Sequence, residues 1–222
     1  MNKTKFGLTA AHLRILALFL MLLDHMWATV VPGNNWMTYV GRMAFPIFAF
    51  QAAEGYHHTH DFKGYCKRLL IFAAISEIPF NLMIFSSPIY PFHQNVMFTL
   101  LFGLLACRAY DRRKLLAMVG WIIAGAFTLC DYGAMGIWTI LMFHVFRGNR
   151  WMQLLFLFLI NWFGFEGQQL VFGAFKMPVQ AFAILAFLPI ALYNGEKGKG
   201  GKALQYGSYV FYPLHMLILG LL

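Results

Sequence analysis

The chain reads as long apolar blocks separated by short polar connections, without the residue-by-residue alternation of half-buried strands. Nine blocks stand out: His12 to Val31, Trp36 to Tyr56, Gly64 to Phe85, Asn95 to Tyr110, Lys114 to Cys130, Gly133 to Phe146, Trp151 to Phe165, Leu170 to Tyr193 and Ala203 to Leu222. A hydrocarbon core about 30 Å thick needs about twenty apolar helical residues to cross it. The blocks beginning at Asn95, Gly133 and Trp151 are shorter, so tilted pairs or half-helices would set the count at eight to ten. The pattern predicts an all-α fold: a polytopic integral membrane helical bundle of about nine transmembrane helices, in a single domain over residues 1–222. Pro46 and Pro79 fall inside the second and third blocks and are expected to kink them.

Composition points the same way. With 60% hydrophobic and 11% charged residues, the chain falls far short of the roughly one-quarter charged content of soluble domains. No run of alternating ten-residue segments suggests an outer-membrane barrel. The net charge of +9 first suggests an anionic partner, but its placement alternates. Lys63, Lys67 and Arg68, then Arg108, Arg112, Arg113 and Lys114, then Arg147 and Arg150, then Lys197, Lys199 and Lys202 mark every second connection. Together with Lys3 and Lys5, they put the amino terminus and those connections inside and the carboxyl terminus outside, as in a bacterial cytoplasmic membrane. The charge is thus mostly topological, with a part left over for an anionic cofactor. Cys66, Cys107 and Cys130 form no obvious disulfide framework.

The ionisable residues inside the blocks are the candidates for chemistry. Arg14 and His25 are eleven residues apart, which puts them on one helix face about 16 Å apart along the axis. Asp24 and His25 then lie deep in the first block, where a charge is expensive and marks a functional site by default. Arg42, Glu77 and His215 fall at comparable depth in other blocks. Two acids, two histidines and an arginine suit a buried proton- or acyl-handling site, and they equally suit separate helix-pinning pairs such as Asp24 with Arg42. The run His57, His58, His60 and Asp61 has metal-ligand chemistry, yet adjacent positions do not converge on one ion, so no metal is expected. Lys63, Lys67 and Arg68 are candidate phosphate anchors at a mouth.

Several of these segments together resemble the TraX family. They are Leu22-Leu23-Asp24-His25; Gly41-Arg42 through Phe50; Ala53-Glu54-Gly55 through Thr59; Ile75-Ser76-Glu77 through Asn81; Asn95 through Gly103; Asp131-Tyr132-Gly133 through Gly136; Leu192 through Gly195; and Phe211-Tyr212-Pro213-Leu214-His215. The resemblance runs in order along nearly the whole chain. It implies a membrane acetyltransferase, known in the family for acetylating the amino terminus of a conjugative pilin. The spacing from Arg14 to His25 also resembles the first-helix motif of a wider group of transmembrane acyltransferases, which draw on cytoplasmic acyl-CoA. On that resemblance Arg14, Lys67 and Arg68 hold the phosphates of acetyl-CoA, and His25 is the general base, with Asp24 or Glu77 fixing its tautomer. Arg42 faces the developing oxyanion, and His215 contacts an acceptor that is a peptide amino terminus, a sugar or a lipid headgroup. The competing class is a proton-coupled small-molecule transporter that uses the same buried cluster, though the chain lacks the inverted repeat such carriers show.

Overall fold

Helix α1 (Ala10–Thr29) begins where Thr9 and His12 form a reciprocal cap, each side chain taking the other's backbone N–H. It belongs to a computed structural model that describes residues 6–222; Lys3 and Lys5, which entered the expected orientation, lie outside the described residues. The chain then turns into α2 (Trp36–Gly41), α3 (Ala44–His58), α4 (Phe62–Phe85), α5 (Val96–Asp111), α6 (Leu115–Phe127), α7 (Gly133–Val145) and α8 (Arg150–Phe163). A hairpin of β1 (Gln169–Phe172) and β2 (Phe175–Pro178) follows, then a 3-10 segment (Val179–Ala186) running into α9 (Phe187–Ala191), and finally α10 (Gly201–Leu221). Successive elements run back and forth between two ends. At one end Leu8, Ala10 and Ala11 donate to Leu192, Glu196 and Lys197 carbonyls; at the other, Gln94 and Asp131 close a bridge across the loops before α5 and α7.

Two of the nine expected blocks break. The second divides into α2 and α3 at Arg42–Met43, and Pro46 then falls in the first turn of α3, where its missing N–H leaves no partner waiting and no kink results. The block from Leu170 to Tyr193 is not one helix. Gly173, at φ +62°, makes a two-residue turn between antiparallel strands pairing Gln169 with Pro178, and Lys176 sits exposed in β2 at the end opposite the other basic connections. Pro79 does lie inside α4.

Among the described residues, α1 and α4 are long and apolar enough to cross a membrane, and α6, α7 and residues 179–191 are shorter apolar helical stretches. Large apolar side chains also point outward: Leu70, Ile71, Ile75 and Ile78 on α4, Leu115, Leu116, Val119 and Ile123 on α6, Val210, Leu214 and Ile218 on α10. Apolar side chains grouped on outward faces mark a surface that lipid or another protein covers.

The core is centred on α3, α5 and α7, whose fully buried Ile47, Leu104, Ile137 and Ile140 interlock. Close approach of α5 to α7 depends on Gly103, where an added Cβ would come 2.3 Å from Ile140 Cδ1 and 3.0 Å from its Cβ; Gly120 on α6 has open space instead. Overpacking of this kind costs about 1–3 kcal/mol. Gly103→Leu should therefore lower the thermal unfolding midpoint in detergent, at roughly 2–4 °C per kcal/mol for this length, while Gly120→Leu leaves it unchanged.

Candidate functional site

His25 is one turn beyond Met21 on α1, and its partner comes from the far end of the sequence. His25 Nδ1 lies 2.7 Å from His215 Nε2, on α10. The rings are 7° from parallel with centroids 4.9 Å apart, the separation of an in-plane N–H···N bond and not a face-to-face stack. The tautomers follow from the next link. His215 Nδ1 donates to the Phe211 carbonyl at 2.8 Å, so in the neutral ring its Nε2 must accept, and His25 Nδ1 must carry the proton. That leaves the Nε2 of His25 as a lone pair. Sequence spacing put His25 on the right face; its orienting group is His215, neither Asp24 nor Glu77.

Both carboxylates have other work. Asp24 Oδ1 accepts from Thr38 Oγ1 at 2.7 Å and faces Arg42 at 3.8 Å, while Gly41 packs so closely that a Cβ would lie 2.5 Å from Asp24 Cβ. Thr38, Gly41 and Arg42 are spaced to share one face of α2, and all three meet that one side chain. The Asp24 to Arg42 pair weighed from sequence is therefore present. Glu77 Oε1 accepts from the backbone N–H and side-chain amide of Asn95, whose own carbonyl oxygen caps α5. Glu77 thus fixes the start of α5 against α4. Beyond Arg42, a cavity of about 220 Å³ at this end is lined by Trp27, Asp131, Tyr132, Glu166 and Gln180. Tyr132 is held left-handed at φ +62°, with its ring stacked on Phe45.

At the opposite end lies a cavity of about 450 Å³ whose lining includes Arg14, Arg68, Lys197, Lys199 and Lys202. The Nε of Arg68 is buried without a hydrogen-bond partner, and this set of donors could hold an anion. Arg14 and Arg68 stand where the sequence suggested. Lys67 does not line this cavity and is exposed, because it precedes Arg68 by one position and so projects to another side of α4. Lys197, Lys199 and Lys202, read at first as topological, do line the cavity. Deeper in, a narrow apolar shaft of about 90 Å³ runs between α1, α3, α4, α5 and α10. Arg14, Leu18 and Met21 line it along the stripe that continues to His25, and Tyr212 joins it to the His215 ring, 6.0 Å away between centroids.

The histidine run does not converge. His57 Nε2 meets the buried His144 Nδ1 at 3.0 Å, and His144 Nε2 meets Asp111 at 2.8 Å, while His58 turns to Glu54, which Arg147 holds at 2.7 Å. The chain His57, His144, Asp111 and Tyr56 ties α3, α5 and α7 together, a link invisible to spacing because its bonded partners are up to 87 positions apart. The three cysteines are free.

Fold and site together define a helical bundle with a basic cavity at one end, a second cavity at the other, and a paired histidine centre that packs beyond Tyr212 of the shaft lining. The chain belongs to the TraX family, described as TraX protein, whose profile matches residues 9–222. It is similar to the probable fimbrial assembly protein FimC, serogroup H1, of Dichelobacter nodosus, 27% identical over 237 aligned positions that cover 95% of this chain and 94% of that protein. No solved structure matches.

The far loops carry a titratable contact. His93, stacked on Phe80, has its Nε2 3.8 Å from Asp131 Oδ1. The Asp131 carboxylate, through polar contact and charge, holds the imidazole above its ordinary 6.5, with burial opposing. A raised folded value means the stabilisation is full below pH 6.5 and lost as pH rises through that value. The difference in unfolding midpoint between the wild type and His93→Gln should therefore be largest at pH 6 and below and vanish in alkali; a difference independent of pH would exclude the pair.

Proposed function

We propose that the protein is a multi-pass enzyme of the bacterial cytoplasmic membrane that transfers an acetyl group from cytoplasmic acetyl-CoA to an amine or hydroxyl acceptor at the outer face. The observation that carries this reading is the His25 to His215 bond, one turn along α1 from the shaft-lining Met21, with the other nitrogen of His25 as the base. The outward apolar side chains and the two spanning-length helices support the membrane setting. The basic cavity suits the phosphates and the shaft suits a slender arm, so the donor set fits a coenzyme A thioester.

Acetyl-CoA supplies a thioester carbonyl at the foot of the shaft. His25 Nε2 takes the proton from the acceptor as the acceptor's lone pair bonds to the acyl carbon; the carbon–sulfur bond then breaks, and the departing thiolate takes that proton from His25. His215 acts through His25: its Nε2 holds the ring in one orientation and accepts from the imidazolium Nδ1–H when the charge forms. Arg42, its charge offset by Asp24, faces the carbonyl oxygen as negative charge develops. Glu77 keeps the structural task of anchoring α5. The acceptor enters from the cavity lined by Asp131 and Tyr132, and by likeness to a fimbrial assembly protein we assign it to a fimbrial subunit.

Calorimetry with acetyl-CoA, together with slow release of free CoA, tests this. Arg14→Ala should weaken binding by roughly 10- to 100-fold, as expected for a charge-assisted contact. His25→Ala and His215→Ala should bind normally, with His25→Ala losing CoA release and His215→Ala slowing it about 100-fold and altering its pH profile. Absence of binding by the wild type at millimolar acetyl-CoA would overturn the assignment and favour the carrier.

A further inference from the structure

The loop before α10 reads Gly195-Glu196-Lys197-Gly198-Lys199-Gly200-Gly201-Lys202. Its backbone is fixed by α1. The N–H groups of Ala10 and Ala11, which have no partner within their own helix, donate to the carbonyls of Glu196 and Lys197 at 2.8 and 3.0 Å. Gly198, at φ +75°, lies so close to Thr9 that a Cβ would come 2.2 Å from its hydroxyl oxygen, and Gly200 is left-handed at φ +108°. With the carbonyls turned to α1, Lys197, Lys199 and Lys202 line the basic cavity together.

Nothing in that cavity neutralises them. Glu54, the carboxylate in the lining, is held by Arg147 and His58, and among the described residues no ion pair engages the three lysines. The amino-terminal end of α10 lies at the same mouth and adds its partial positive charge, whereas that of α1 is met by the loop carbonyls and Thr9. The cations also differ in depth. Arg14 lines both the cavity and the shaft, whereas the three lysines line the outer cavity only.

We propose that the glycine–lysine loop of residues 195–202 is a recognition site for a phosphate monoester, the ribose 3′-phosphate of coenzyme A, separate from the Arg14 and Arg68 contacts to its diphosphate. This rests on the acyl-CoA reading. In coenzyme A the diphosphate directly follows the arm that enters the shaft, and the 3′-phosphate is the next group outward, matching the order of Arg14 and then the lysines along the cavity. Lysine suits this position because a terminal phosphate is met as a point charge without a bidentate fork.

The test compares CoA with 3′-dephospho-CoA by calorimetry on the full chain in uncharged detergent. The wild type should bind CoA at least 10-fold more tightly, and Lys197→Gln/Lys199→Gln/Lys202→Gln should erase that preference while binding 3′-dephospho-CoA as the wild type does. These changes spare the loop carbonyls, and an unchanged unfolding midpoint verifies the fold. Adenosine 3′,5′-bisphosphate should compete with CoA at the wild type and fail at the triple variant. Equal binding of both cofactors by the wild type overturns the loop assignment and leaves the acyl-CoA reading standing. Absence of binding by either overturns both. Competition by phosphatidate-containing micelles, but not by the bisphosphate, reassigns the loop to a lipid headgroup.

Discussion

A ring N–H deep in an apolar interior must find an acceptor, since leaving it unpaired costs about 1–3 kcal/mol. His25 meets this demand with a second histidine, and that one bond fastens α1 to α10 across 190 positions of sequence. The rest of the bundle keeps those helices in place. α10 packs along α4, Glu77 of α4 holds the start of α5, and α2 folds back on α1 through Asp24. Buried polar groups elsewhere follow the same rule: Gln180 donates to Asn161, which donates back to its own helix at Leu157, and Thr99 donates to the Asp131 carbonyl. The interior thus carries short polar links in an apolar core, most of them joining different elements.

Because the links are distant, only part of the site was legible beforehand. The helix face shared by Arg14 and His25 follows from local periodicity alone, and Leu18 and Met21 between them line the shaft as that periodicity requires. Equal depth could not say who touches whom. Glu77 and His215 lie at the same level as His25, yet one is committed to Asn95 and the other is the partner. The choice depends on which helix is adjacent, and no spacing within a block encodes that.

The missed elements had weak signals. Within the block from Leu170 to Tyr193, Gly173 and Lys176 interrupt an apolar run near its start, and Gln169 to Pro178 pairs as a four-residue ladder too short to stand out by alternation. The break at Arg42 follows Gly41, which packs on Asp24, and is set by tertiary contact with that side chain; a lone glycine inside an apolar run is a weak signal. Lys197, Lys199 and Lys202 satisfied the positive-inside pattern so well that their glycine spacing passed as linker composition.

The loop that caps α1 has a mechanical consequence. A continuous helix is a stiff rod, and the first N–H groups of α1 are gripped by the same backbone whose lysines face the mouth. On the acyl-CoA reading, a tug on that loop from an anion among the lysines reaches Ala10 and Ala11, and from there His25 along about four turns of hydrogen-bonded backbone, about 22 Å away. The far tip of the rod is buttressed by His215 and by Thr38 through Asp24. The glycine–lysine loop and the aim of a single imidazole are thereby joined by one unbroken helix, with no hinge between.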